Sequence, residues 1–314
     1  MRLLDLVAQA RGPVAVEHPD MGCVRLPGAA DFADEVATVT TRYVLMDDVT
    51  RACGTMIIEQ PDLLVACIDL VRVPASGLWL EWCNHRLHPD PAVAAKDQPQ
   101  RAGMLIHADE SGRRGSIQSF WEERGVGAVR SPTMMYFDLD GAPDLSQVAG
   151  SDVTLAPLLA LTRTTLEPAW ARYYRGTTSD PVSYAAALRS MYSCSWKDFL
   201  IAMSFSLMLS MRGELDFAPS ALTRLNEARR KHNKAPLLNF VEVGASLFDA
   251  PHGQHAVGST GGAGSRNGVR VHHVRGHFVR RNQAIFWRRT HLRGDMALGI
   301  APARITRMGL NAAR

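Results

Sequence analysis

The stretch from Ser183 to Met211 constrains the fold more than any other, because helical spacing is combined with apolar residues on almost every side after Trp196. A helix that is apolar all round has no face suited to water and therefore lies inside a core. Its most apolar part begins at Phe199, contains three serines and is too short to span a bilayer. We predict a central core helix and no membrane segment.

Strand patterns come before this helix, and they are separated by turn residues. The predicted strands are Leu78 to Trp82, Met104 to Ile106, Ile117 to Glu122 and Met134 to Leu139. Together they predict an antiparallel sheet over residues 77–140. Two short helices are predicted ahead of it, one starting at Asp47 and one running from Pro61 to Val71.

The second half of the chain is expected to contain further helices and a strand. Helical spacing covers Leu155 to Tyr174 and Pro219 to His232, while Leu237 to Val243 has the composition of a strand. A chain of 314 residues with 46% hydrophobic side chains is expected to bury a large core. The predicted fold class is α+β, a mixed antiparallel sheet with helices that is closed by a basic C-terminal β hairpin module.

The net charge of +4 hides a strong asymmetry along the chain. Residues 219–314 hold 16 lysines and arginines against four acids, a balance of +12. Residues 1–218 hold 19 basic and 27 acidic side chains, a balance of −8. This split predicts an acidic α+β domain over 1–218 and a basic helix-plus-hairpin module over 219–314, which contacts a polyanion or is covered by the acidic part.

The basic charge is concentrated between Arg266 and Arg293, where 28 residues include eight arginines and four histidines but no lysine and no acid. Arginine offers a planar fork of donors that matches phosphate and stacks on bases, whereas lysine is a point charge. A face that only interacts with solvent usually mixes both signs and includes lysine. The composition therefore favours contact with nucleic acid.

Strand parity divides this segment into two faces. In a strand from Val271 to Arg281, alternate residues share a face, and one face carries His273, Arg275, His277 and Arg281. A turn around Asn282 and a return strand complete a hairpin, with Phe278 and Phe286 expected in its core. Arginines would meet phosphates and Trp287 would stack on a base. The predicted nucleic-acid contacts are Arg275, Arg280, Arg281, Trp287, Arg288, Arg289 and Arg293.

Two other functions stay open at this point. Histidine and arginine suit a metal-independent ribonuclease or other phosphodiesterase, in which a base removes a proton and cations stabilise the phosphate transition state. The candidate catalytic residues are His273, His277 and His291. Alternatively, the chain is an interaction or structural protein whose arginines bind an acidic protein partner.

Weaker signals lie in the N-terminal part. Glu81, between two tryptophans, is a candidate pocket residue, although an ordinary strand end is favoured. Asp138 and Asp140 share a strand face, which a strand running into a turn explains better than a metal or acid–base pair. No catalytic or nucleotide-binding motif occurs, and no cofactor or metal is expected. The five cysteines are widely spaced and no secretory signal stands out, which predicts reduced thiols and a cytoplasmic location.

The basic module contains a further pattern, made up of Asn226, Arg229, the Lys234–Leu237 stretch, the sequence V-R-G-H-F-V-R-R from Val274, and Trp287 with Arg293-Gly294. In this pattern, about the last 95 residues resemble a C-terminal module of uncharacterised bacteriophage and prophage proteins. It implies an origin in a phage or mobile element and a place in the cytoplasm of a bacterial host. By analogy it favours a nucleic-acid-binding accessory protein.

Overall fold

The computed structural model describes residues 1–18, 22–87, 100–144, 154–177, 180–211, 215–245, 270–274, 277–281, 284–288 and 291–300. Within these ranges, the α-helices are α1 (Leu3–Ala8), α2 (Ala33–Thr38), α3 (Asp47–Ile58), α4 (Pro61–Ala66), α5 (Ala156–Leu159), α6 (Pro168–Thr177), α7 (Pro181–Leu209) and α8 (Thr223–Lys231).

The strands of the first half are β1 (Val14–His18), β2 (Gly22–Leu26), β3 (Thr41–Leu45), β4 (Gly77–Cys83), β5 (Arg101–Ala108), β6 (Arg114–Glu123) and β7 (Gly127–Asp138). Those of the second half are β8 (Thr162–Leu166), β9 (Leu215–Pro219), β10 (Val241–Ala245), β11 (Arg270–Val274), β12 (His277–Arg281), β13 (Ala284–Arg288), β14 (His291–Arg293) and β15 (Asp295–Ile300). Helices and strands together confirm the predicted α+β class.

One large mixed sheet organises the fold, with the strand order β8-β7-β6-β5-β4-β3-β10-β9. From β4 to β8 neighbouring strands are antiparallel, as predicted for residues 77–140. β3 runs parallel to both β4 and β10, and β9 returns antiparallel to β10. The parallel pair of β3 and β10 joins segments about 200 residues apart in sequence, since Val241 pairs with Tyr43.

The two faces of this sheet carry separate hydrophobic clusters. Along β4, Leu78, Leu80 and Trp82 belong to the cluster that contains α3 and α7, whereas Trp79 belongs to the cluster around α1 and α2. Successive side chains of a strand project to opposite faces. β4 is therefore buried on both sides, which explains its nearly continuous apolar sequence.

Helix α7 is the central helix that the sequence predicts. Its residues from Phe199 to Met208 are all buried, and the helix contacts α3, β6 and β7. Asp180 caps its start by accepting hydrogen bonds from the backbone N–H groups of Val182 and Ser183 at 2.8 and 2.9 Å. Among the described residues, no helix is both long and apolar enough to cross a membrane.

The predicted helix from Leu155 to Tyr174 is wrong in its middle. Short helix α5 ends at Leu159, strand β8 follows, and α6 begins at Pro168. β8 contains three β-branched threonines and pairs with β7 at the edge of the sheet. The apolar residues at helical spacing therefore belong to three different elements.

The basic segment also differs from its predicted form. β11 pairs with β14 and β15, whereas β12 pairs with β13 in a separate sheet. A single strand from Val271 to Arg281 is therefore wrong, because the chain changes strand partners between Val274 and His277. Parity holds only within one strand, so the predicted face from His273 to Arg281 does not continue across this change.

The division at 218/219 into two domains stays a prediction. The described part of the basic segment begins within the main sheet, since β9 ends at Pro219 and β10 pairs with β3. The predicted helix from Pro219 is shorter than expected and starts at Thr223. The strand predicted at Leu237 to Val243 is displaced toward the C-terminus, to Val241–Ala245.

Candidate nucleic-acid interface

The hairpin formed by β12 and β13 contains most of the described residues that the sequence singles out. Its register pairs His277 with Arg288, and Arg281 with Ala284, so only residues 282 and 283 join the strands. The pairing confirms the hairpin predicted around Asn282, which itself lies outside the described residues. A two-residue connection fixes the register of a hairpin and thereby fixes which residues share a face.

The inner face of the hairpin packs on the main core. Phe278 is 4% exposed and Ile285 is 1% exposed, and both belong to the cluster that contains α7. The ring of Trp287 lies edge-on to Phe278, with ring centroids 4.7 Å apart. The backbone N–H of Phe278 also donates to Gln60 Oε1 at 3.2 Å. The hairpin is therefore held in a fixed orientation against the helical layer.

Arg280 connects the inner face of the hairpin to the N-terminal part of the chain. Its guanidinium donates to both carboxylate oxygens of Asp69, at 2.9 and 2.7 Å, and also to the carbonyl of Ala66. The hydrogen bond from Arg280 holds the pKa of Asp69 below its ordinary value. Arg280 was predicted to contact phosphate, but the structure places it in a two-pronged ion pair instead. This is the masking by acidic residues that the charge asymmetry permits.

The outer face of the hairpin consists of the alternate residues His277, Val279, Arg281, Ala284, Phe286 and Arg288. Arg281 and Arg288 are exposed, and neither forms an ion pair or a hydrogen bond with another described residue. An open groove of about 530 Å³ at the hairpin is lined by Val279, both arginines and Phe286 of this face, and also by Trp287 of the other face. The outer face thus presents two unpaired guanidinium groups beside an aromatic ring.

The aromatic residue on this surface is not the one that the sequence favoured. Phe286 is 49% exposed, so its predicted place in the hairpin core is wrong. Trp287, predicted to stack on a base, lies half-buried against Phe278. Parity makes the two neighbours project to opposite faces, and the face with Phe278, Ile285 and Trp287 has the larger apolar volume. That difference in volume was the available signal for identifying Phe286 as the exposed ring.

The other predicted contacts are distributed differently. Arg275 and Arg289 lie outside the described residues. Arg293 is exposed at the end of β14. The structure therefore brings Arg281, Arg288 and His277 together on one face, separates Arg280 from them, and places Arg293 in another sheet.

The three candidate catalytic histidines do not share one pair of strands. His277 lies in β12, whereas His273 and His291 lie in β11 and β14. In the latter pair, His273 is opposite Leu292 and His291 is opposite Val274, so the two histidines are not cross-strand partners. The strand register therefore adds no support to a catalytic site formed jointly by these three histidines.

Glu81 has a structural partner for each carboxylate oxygen. It accepts hydrogen bonds from the backbone N–H groups of Leu3 and Leu4 at 3.2 and 2.9 Å. Burial raises the pKa of Glu81, while these hydrogen bonds act in the opposite direction. A cavity of about 170 Å³ beside it is also lined by Arg2 and Arg101, but Arg2 is paired with Glu242 at 2.7 Å and Arg101 lies 3.7 Å from Glu122.

Asp138 and Asp140 are also accounted for by structure. Asp138 ends β7 and pairs with Arg114 at 3.0 Å, while Asp140 lies in the following turn and pairs with Arg113 at 2.7 Å. The expected strand end and turn are confirmed. Within the described ranges, no group of three or more histidine, cysteine, aspartate or glutamate side chains is arranged to hold a metal ion.

None of the five cysteines forms a disulfide. Cys53 and Cys67 are buried, and burial raises the pKa of Cys53 to about 12. A thiol with such a pKa is not ionised near neutral pH and is a poor nucleophile. Cys53 therefore acts as a small apolar side chain, with its sulfur 3.9 Å from that of Met208.

Comparison with known proteins adds no assignment to this geometry. No protein-family model, curated protein or solved structure matches the chain.

Proposed function

We propose that this protein binds single-stranded nucleic acid on the outer face of the β12–β13 hairpin. The observation that carries the proposal is the pair of exposed arginines, Arg281 and Arg288, on either side of the exposed ring of Phe286; neither has an ionic or hydrogen-bonding partner among the described residues. A neutral ligand offers no charge to two guanidinium groups, whereas the phosphates of a nucleic-acid backbone match their planar fork of donors.

The spacing of the two arginines suits two separate phosphates of one nucleic-acid strand. Arg288 is opposite His277, which is four residues from Arg281 along β12. Four residues of strand span about 13 Å. A single nucleic-acid strand lying along the hairpin would bring one phosphate to each arginine, with Phe286 between the two arginines.

The exposed phenylalanine favours single strands over duplexes. An unpaired base can stack on an aromatic ring, with a contribution of about 1–3 kcal/mol per base. A base inside a duplex has no free face for such stacking. The anchored inner face of the hairpin keeps the ring in place, so little conformational entropy is lost on binding.

The resemblance to phage and prophage proteins adds to this proposal an origin in a mobile element and a role in the cytoplasm of a bacterial host. It extends the analogy to nucleic-acid work, which cytosolic phage proteins often perform. An acidic protein surface is the competing partner for the same arginines, but it would give no reason for an exposed ring between them.

Fluorescence anisotropy with labelled single-stranded and duplex RNA and DNA, measured over a series of salt concentrations, tests the proposal. For single strands, the slope of log K against log salt should fall by about 1.4 in the Arg281→Ala/Arg288→Ala variant, because two phosphate contacts are lost. Phe286→Ala should weaken single-strand binding by about 1–3 kcal/mol and leave duplex binding nearly unchanged.

Arg124→Ala is the matched control, because Arg124 is exposed in the turn between β6 and β7, which is not part of the hairpin. It should leave affinity and salt slope unchanged. Binding that is undetectable at low salt, or that the hairpin variants do not alter, would overturn the proposal and favour the acidic-protein partner.

A further inference from the structure

We infer that helix α8 and the turn after it form a second binding surface for the phosphate backbone of nucleic acid, separate from the hairpin. The ligand class rests on the proposed function, but the surface itself does not involve the hairpin. We define the α8 surface by four exposed cations, Arg224, Arg230, Lys231 and Lys234.

These cations have no acidic partners within the fold. Within the described part of the chain, none of the four side chains forms an ion pair or a hydrogen bond. Glu227 is the one acidic residue of α8, and it forms no ion pair with another described residue. Of the nine residues of α8, none is buried. The sequence of α8 is therefore not explained by packing.

The helix dipole accounts for only part of this charge. Cations near a helix C-terminus stabilise it by about 0.3–1 kcal/mol each, within the last turn. Arg224 lies in the first turn, where the dipole disfavours a cation. Lys234 lies beyond the helix end. A helix stabilised only through its dipole would not need either of them.

The end of α8 is held in a defined shape. The N–H of Lys234 donates to the carbonyl of Arg229 at 3.0 Å, and that of Asn233 donates to the carbonyl of Arg230 at 3.1 Å. Asn233 has a φ of 52°, the left-handed conformation that closes a Schellman motif. The motif turns the chain back at the helix end and keeps Lys234 beside the last turn of α8.

Hydrogen bonds also attach the α8 surface to the rest of the fold. The Asn226 side chain both donates to and accepts from the backbone of Leu237, at 2.9 and 2.8 Å. One residue further on, the N–H of Leu238 donates to the buried carboxylate of Asp5 at 2.9 Å. α8 is thus preorganised without apolar burial, which is what a binding surface for a hydrophilic polymer requires.

The α8 surface and the hairpin are attached to different faces of the main sheet. Leu238 and Phe240 pack with the cluster around α1, whereas Phe278 and Ile285 belong to the cluster around α7. The two surfaces are therefore separate contacts, and a nucleic acid that reaches both would have to pass around an edge of the sheet.

Anisotropy titrations with the full chain and a labelled single-stranded oligonucleotide test this inference. Arg230→Gln/Lys231→Gln should reduce affinity by about 10–30-fold at 0.1 M salt and lower the salt slope by about 1.4, because two phosphate contacts are lost. Glu227→Gln should increase affinity, since it removes the acid from the surface. Arg124→Gln serves as the matched control, and thermal unfolding confirms that each variant is folded.

The outcomes separate this inference from the proposed function. If the α8 variant binds like wild type while the hairpin variant is weakened, the inference is overturned and the proposed function stands. If the α8 variant is weakened and the hairpin variant is not, the inference stands and the proposed function is overturned. Weakening in both variants supports both surfaces, and no binding by wild type at low salt overturns both.

Discussion

Asp198 makes the stability of this fold depend on pH in a direction that can be measured. It lies on α7 beside the apolar half of the helix, and burial raises its pKa to about 6 from an ordinary value of 3.8. A hydrogen bond from the Ser119 hydroxyl and the charge of Lys197 act in the opposite direction. The folded protein therefore holds a proton at Asp198 over a range in which the unfolded chain has lost it.

The sign of the effect follows from this difference. Below about pH 3.8 the carboxyl is protonated in both states and imposes no cost. Between about pH 3.8 and 6 the unfolded chain loses this proton while the folded protein keeps it, so the free energy of unfolding falls as pH rises and levels off above about 6. The full difference corresponds to about 3 kcal/mol. Because Asp198 is partly exposed, we expect about 1–2 kcal/mol.

Asp198→Asn removes this cost and keeps an oxygen to accept the Ser119 hydrogen bond. Urea unfolding of the variant and wild type between pH 4 and 8 should show the variant about 1–2 kcal/mol more stable at pH 7.5, with the difference shrinking toward pH 4. Taking the difference between the two proteins cancels other titrating groups. A variant that is less stable at pH 7.5, or a difference that does not change with pH, would refute the reasoning.

Three further substitutions test the packing. Ile285→Ala should cost about 2–5 kcal/mol in the stability of the hairpin and speed its amide hydrogen exchange, whereas Phe286→Ala should not, since its ring is exposed. Glu81→Ala leaves two backbone donors without an acceptor and should lower the free energy of unfolding by about 2–5 kcal/mol in urea titrations, with a smaller loss for Glu81→Gln. Arg113→Lys should cost about 1–3 kcal/mol by the same assay, because a lysine cannot reproduce the guanidinium bonds to Asp140 and four backbone carbonyls.

Local patterns in the sequence predicted the elements whose environment is uniform. α7 was predicted because a helix buried on every side needs apolar residues on every side. The antiparallel strands between residues 77 and 140 were predicted because short turns separate them. The hairpin of β12 and β13 was predictable from its turn, because a two-residue connection fixes the register of the two strands without contacts from other parts of the chain.

Features that depend on distant partners were not predicted. The parallel pairing of β3 with β10 joins residues that are far apart in the chain, and no local pattern records it. β8 was mistaken for helix because its flanking helices contribute apolar residues at helical spacing, although its threonines favour a strand. The exposure of Phe286 is different, because parity places it and Trp287 on opposite faces and the larger apolar volume on the face of Trp287 indicates the buried side.

The partner of Arg280 was unpredictable for the same reason. Its position in the strand puts it on the face with Phe278, and the distant Asp69 then neutralises it. Arg281, one residue later, has no such neighbour among the described residues. Charge composition thus points to a segment, and only the fold separates an arginine held in an ion pair from one that is exposed.

Photo-crosslinking to single strands that contain 4-thiouridine or 4-thiothymidine tests the central claim most directly, because it reports which residue a base touches. After tryptic digestion and mass spectrometry, the account predicts a crosslink within residues 282–288 that maps to Phe286 and is lost in Phe286→Ala. A crosslink that maps to Trp287, or the absence of any crosslink in this peptide while the strand is bound, would contradict it.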